Sequence, residues 1–132
     1  MNEIGVRLVV MDRTQFEELV RESLDDLPEE FARRIENLAV VVEDEPDAEL
    51  MRALGFNPRR DTLFGLYQGV PLPHRGASYG NVLPDKISIY YRPLLRHCHT
   101  PEQVRRQVRT TVIHEIAHYF GMDDAAIRAL GY

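Results

Sequence analysis

The stretch from Thr100 to Gly121 limits most what this chain can become. Thr100, Pro101 and Gln103 form a helix start: a hydroxyl cap, a proline in the first turn and an amide three residues after the cap. Gly121 is a stop signal, because glycine readily takes the left-handed turn that ends many helices. Between them Val108, Val112, Ile116, Tyr119 and Phe120 gather on one arc at helical spacing. A helix running to about Phe120 with such a face must lie on a core. Its other face carries His114, Glu115 and His118.

At ~100° per residue the two histidines stand about 40° apart and one turn from each other, so both imidazoles can grip one metal ion. Glu115 lies about 100° from His114, at the edge of that sector, where it reaches a water rather than the metal. This is the H-E-x-x-H pattern of zinc peptidase chemistry, in which the glutamate takes a proton from water and hands it to the leaving amine. A catalytic zinc wants three protein ligands and one open position. Gly121 and Asp124 extend the pattern to H-E-x-x-H-x-x-G-x-x-D, which puts Asp124 in the third ligand place. Asp123 competes for that role, and Asp124 as a helix cap alone is the other open reading. The sequence runs 14 residues past His118, so a glutamate ligand from a distant downstream helix is not expected.

The rest of the chain reads as scaffold. Thr14 and Glu17 resemble a capping box, and Phe16, Leu19, Val20, Ser23, Leu24 and Leu27 follow at helical spacing. Pro28 breaks or restarts this element, and Phe31, Ala32 and Ile35 continue an apolar face beyond it. Leu38 to Val42 is expected to be a buried strand, ended by Glu43-Asp44-Glu45-Pro46. Asp47 caps a short helix to Leu54, with Gly55 as its stop. Leu63 to Val70 is a second strand, followed by the turn signals Pro71, Pro73, Gly76, Gly80 and Pro84. Lys86 to Tyr91 alternates polar and apolar, as a half-exposed strand does. Asp124 to Leu130 forms a last short helix. The class is α+β: one compact domain with N-terminal helices and a C-terminal metal-binding helix.

Composition removes several function classes. A chain of 132 residues, 44% hydrophobic and 28% charged, fits a single domain. Sixteen basic against 21 acidic residues give a net charge of −5, which argues against nucleic acid as the main ligand. Arg105, Arg106 and Arg109 read as the solvated side of a helix. Cys98 is a lone cysteine and excludes an internal disulfide. The apolar run Val6 to Met11 has no basic stretch before it, and nothing approaches the ~20 apolar residues of a membrane span. A cytoplasmic monomer acting on peptide or protein, without membrane or nucleic acid, is the expectation.

From His114 to Asp124 the chain resembles the extended-motif zincins, with Asp124 where metzincins carry a third histidine. More broadly it resembles the minimal zincins, a family of small bacterial zinc metallopeptidases. The resemblance rests on Leu66-Tyr67-Gln68-Gly69, Val82-Leu83-Pro84-Asp85-Lys86-Ile87, Thr111 through Asp124 and Leu130-Gly131-Tyr132. It implies a small mixed sheet with the metal helix packed against it, in a zincin-like peptidase domain over residues 13–132 with residues 1–12 as an extension. It also implies Zn²⁺ on His114, His118 and Asp124, and Glu115 as the catalytic base.

Other residues carry weaker signals. His97-Cys98-His99 looks like a ligand cluster but reads better as a surface turn before Thr100. His74 is a loop histidine, with a place over the site as its alternative. Tyr79, Tyr90 and Tyr91 are candidate donors to the oxyanion. The strand Lys86 to Tyr91 is the candidate edge to which an extended peptide adds. Two rival functions remain: a metal-dependent RNA hydrolase, and a non-catalytic zinc module.

Overall fold

The computed structural model describes residues 9–76 and 84–131. Tyr79, Gly80, Val82, Leu83 and Tyr132, together with residues 1–8, lie outside the described residues.

Helix α1 (Arg13–Asp25) starts two residues earlier than the Thr14 signal implies. Asp12 is its cap: its carboxylate accepts from the Gln15 N–H at 2.8 Å, and the Gln15 side chain accepts from the Asp12 N–H at 3.0 Å. A carboxylate caps at least as well as a hydroxyl, so the earlier box wins and Thr14 falls inside the first turn. Pro28 does restart the chain, as the N-cap of the short helix α2 (Glu29–Ala32). No residue of α2 is buried, so the core packing expected of this third of the chain comes from α1.

Strands β1 (Leu38–Glu43), β2 (Gly65–Gln68) and β3 (Asp85–Tyr90) form one sheet in the order β1-β3-β2. β1 runs parallel to β3, from Leu38 opposite Asp85 to Glu43 opposite Tyr90. β2 runs antiparallel to β3, from Gly65 opposite Ile89 to Gln68 opposite Lys86. The mixed sheet of an α+β domain is therefore present, but two strands differ from expectation. The apolar run of β1 points to a buried strand, yet only Val42 in it is buried, because β1 lies at a sheet edge. β3, which patterns as a half-exposed edge, is the central strand, with Ile87, Ile89, Ser88 and Tyr90 all buried. Ser88 can be buried because its hydroxyl donates to Glu43 across the parallel pair at 2.8 Å.

β3 also stops one residue early. Tyr91 opens helix α4 (Tyr91–Arg96), and its hydroxyl donates to the Met11 carbonyl. Helix α3 (Ala48–Ala53) is capped by Asp47 and ends at Gly55 with φ +91°, as expected. Helix α5 (Pro101–Tyr119) crosses the sheet and packs on α1. Phe16, Leu19 and Val20 of α1, Ile87 and Ile89 of β3, and Val104, Val108 and Val112 of α5 make the core. Helix α6 (Asp124–Ala129) closes the described chain by burying Ile127.

Candidate metal centre

Thr100 caps α5 through the Gln103 N–H at 3.1 Å, and the helix runs without a break to Tyr119. Its arc of Val108, Val112, Ile116 and Tyr119 is buried, which turns His114 and His118 outward, half-buried. The helix then ends in a tight glycine motif. The Met122 N–H donates to the Ala117 carbonyl at 3.0 Å and the Gly121 N–H to the His118 carbonyl at 2.9 Å. Gly121 has φ +91°, and a Cβ there would stand 2.9 Å from the Pro73 ring. Glycine is needed on both counts.

This turn separates the two aspartates. Asp123 caps α6, accepting from the Ala126 N–H at 2.8 Å. Asp124 is the first residue of the helix, and its carboxylate turns back to the histidines. One of its oxygens lies 3.4 Å from His114 Nε2 and 3.0 Å from His118 Nε2, and the two Nε2 atoms are 3.2 Å apart. With ligand bonds of about 2.0–2.2 Å at tetrahedral angles, the donors of a zinc ion stand roughly 3.3 Å from each other. The three side chains fit zinc.

Their protonation fits too. His118 Nδ1 faces the Met122 carbonyl at 3.1 Å, so it carries the proton and leaves the Nε2 lone pair free. Burial, with His118 beside it, pushes the His114 pKa down and favours the neutral ring. Among the described residues these three form the one His, Cys, Asp or Glu group able to hold a metal.

Glu115 is buried, at 7% exposure, with its Cγ facing Gly65 of β2. Burial pushes its carboxyl up to about 7; the Tyr67 N–H bonded to it pulls downward, and the charge of Asp124 adds to the rise. The helix comes this close because residue 65 is glycine. A Cβ there would meet Thr111 Cγ2 at 2.7 Å and Glu115 Cγ at 3.2 Å.

The strand beside the site is thus β2, not the expected Lys86 to Tyr91, whose two edges are taken by β1 and β2. The Tyr90 N–H donates to the Phe64 carbonyl, which sets the alternation along β2. The backbone groups of Gly65 and Tyr67 then face away from β3, toward the edge where Glu115 sits.

The weaker candidates among the described residues are not brought to the cluster. His97 Nδ1 faces the Pro93 carbonyl at 2.9 Å, its ring packs on Phe64, Cys98 is buried and His99 is exposed. His74 is exposed in a 3-10 turn (Leu72–His74). Tyr90 is buried on the Ser88 side of β3, and Tyr91 is bonded to Met11. Arg105 and Arg109 pair with Glu22 of α1 and with Asp26, its C-cap, at 3.1 and 3.2 Å, a solvated face as expected.

Gly65 and the contacts of Tyr67 are parts of the site that residue patterns alone do not single out. The only signal is a glycine inside an apolar run, which marks a close backbone approach.

The family model described as zincin-like metallopeptidase matches residues 35–132, most of the chain and all of the candidate centre. No curated protein matches. A conserved hypothetical protein from Thermus thermophilus shares the fold, at 23% identity and TM-score 0.55, over 82% of this chain and 92% of its own. The chain belongs to the zincin-like metallopeptidase family.

Proposed function

We propose that the protein is a zinc-dependent peptidase in which His114, His118 and Asp124 hold the metal and Glu115 is the catalytic base. One observation carries this reading: three metal-donor atoms converge at 3.0–3.4 Å on and beside the helix that also bears the buried carboxyl of Glu115. Zinc held there supplies Lewis acidity, lowering the pKa of a coordinated water and polarising a carbonyl. Glu115 takes the proton of the attacking water on its carboxylate and gives it to the leaving amine nitrogen.

The substrate follows from the surroundings. Asp124 is 60% exposed, so the centre opens to solvent and suits a polypeptide better than a small enclosed molecule. The outward backbone of Gly65 and the outward Tyr67 carbonyl offer hydrogen bonds to an extended chain laid along β2. We take the catalytic unit to be residues 13–132. RNA is disfavoured as substrate because Arg105 and Arg109 are already paired with carboxylates. Among the described residues no helix is long and apolar enough to cross a membrane. The lone thiol of Cys98 fits a reducing compartment such as the cytoplasm.

Peptide-library cleavage by wild type and Glu115→Gln tests the reading, with zinc content measured beside it. Glu115→Gln should keep its zinc and lose roughly 10²–10⁴-fold in rate. His114→Ala should lose stoichiometric zinc. Equal cleavage by wild type and Glu115→Gln would sink the peptidase, and unchanged zinc in His114→Ala would sink the site.

A further inference from the structure

Away from the metal helix, Asp85 opens the central strand almost without exposure, 2% at its side chain, and its partner Arg75 is 7% exposed. The Tyr67 hydroxyl donates to Asp85 at 2.5 Å, Arg75 Nη2 at 2.9 Å and the Val70 N–H at 3.3 Å. Gly69 permits this convergence, since a Cβ there would run into the Asp85 carboxyl. A buried carboxylate needs charge and hydrogen bonds in return for its lost water, and Asp85 draws them from three places along the chain.

Each of those places leads to the candidate centre. Tyr67 belongs to β2, and its own N–H holds the Glu115 carboxyl. Its ring meets the Tyr119 ring edge-on at 6.1 Å, and Tyr119 directly follows His118. Arg75 lies over that Tyr119 ring at 5.0 Å and donates to the Glu36 carbonyl at 3.0 Å. The Tyr119 hydroxyl donates to the same carbonyl at 2.7 Å. Arg75 Nε also donates to the Val70 carbonyl at 3.1 Å, which closes the loop over residues 70–75. Pro73 in that loop is what Gly121 packs against, at the turn that returns the chain to Asp124.

We infer that Asp85 is a positioning residue, tying strand β2 and the 70–75 loop together so that the base Glu115 and the ligand Asp124 are held in register with the two histidines. The groups seen to bond it, on Tyr67, Arg75 and Val70, are not among the three metal donors. Asp85 acts through Tyr67 on Glu115, and through Arg75 and Pro73 on the turn at Gly121. The inference rests on the assignment of His114, His118 and Asp124 as ligands.

The test compares Asp85→Asn, Tyr67→Phe and a core control, Val20→Ala, with wild type. Zinc affinity is read by chelator competition, the ligand field by the visible spectrum of the cobalt-substituted protein, and the fold by thermal melting. Asp85→Asn should bind zinc at least 10-fold more weakly and alter the cobalt spectrum while still melting cooperatively. Tyr67→Phe, which removes one hydroxyl, should shift both in the same direction by less, and it carries the test if Asp85→Asn does not fold. Val20→Ala should lower the melting temperature and leave affinity and spectrum unchanged.

Affinity within twofold of wild type and an unchanged spectrum in the network variants would overturn the positioning role and leave the ligands standing. An equal loss in Val20→Ala would overturn it too, since instability alone would then explain the effect. If wild type binds no zinc that His114→Ala abolishes, the ligand assignment fails and this role fails with it.

Discussion

Gly65 and Glu115 sit so close that a methyl group on the glycine would stand 3.2 Å from Glu115 Cγ. The same methyl would meet Thr111 Cγ2 at 2.7 Å, inside van der Waals contact. Two effects of Gly65→Ala oppose each other. Alanine lowers the entropic cost of a strand glycine by about 0.5–1 kcal/mol, whereas overpacking a filled interface costs about 1–3 kcal/mol. Overpacking wins, because both obstructing side chains are buried on a helix that is itself packed on α1. Urea unfolding should show a net loss of stability. A displaced base should also slow peptide cleavage by about 10²-fold. Zinc content should not change. A rate equal to wild type would mean that β2 and Glu115 need not be this close.

Asp85 predicts the acid behaviour of the fold. Burial alone would raise its pKa, but Tyr67, Arg75 and the Val70 N–H all favour the charged form, and the net direction is downward. A folded pKa below the unfolded one contributes stability above the ordinary aspartate value of ~3.9, and that contribution is lost as pH falls through the depressed folded value. Asp85→Asn should therefore cost about 3 kcal/mol at pH 7, since removing one member of a buried pair strands the other. The gap between wild type and variant should narrow below pH ~4. Urea unfolding at a series of pH values checks this, and a gap constant down to pH ~3 would contradict it.

Asp12 and Thr14 allow a direct comparison of cap positions. Asp12→Ala should cost about 1 kcal/mol, the usual worth of an N-cap. Thr14→Ala, at an exposed first-turn position, should stay within ~0.5 kcal/mol of wild type. The reverse ranking by denaturant unfolding would place the helix start at the Thr14 signal.

How much is legible in the sequence divides along the same line. Helix α5, its cap at Thr100, its stop at Gly121 and the grouping of His114, His118 and Asp124 follow from spacing along one segment, and spacing is what a sequence displays. The order of strands does not. Lys86 and Ser88 alternate with Ile87 and Ile89 as on a half-exposed strand, yet Ser88 is buried by a bond to Glu43, 45 residues earlier. Asp85 looks like an exposed residue before a strand until Tyr67 and Arg75 are folded onto it. Satisfaction of a buried polar group is non-local, and local pattern cannot report it. Local pattern therefore puts the wrong strand beside the metal helix.

Asp123 and Asp124 are adjacent in sequence, and the structure gives them separate work that mutation can separate. Asp123 accepts from the Ala126 N–H and is otherwise exposed, so Asp123→Ala should cost about 1 kcal/mol of stability through the lost cap. Zinc affinity should stay within about threefold, since outer partners that do matter to a metal site cost roughly 10–100-fold. Asp124→Ala should do the opposite. It removes a first-turn acid worth only about 0.3–1 kcal/mol to the helix, but it deletes the oxygen that faces both histidines. Its zinc affinity should fall by more than the roughly 10–100-fold typical of outer partners. Chelator competition and thermal melting on the metal-free proteins read the two effects separately. If Asp123→Ala lost the metal and Asp124→Ala kept it, the third ligand would be the residue that now caps α6.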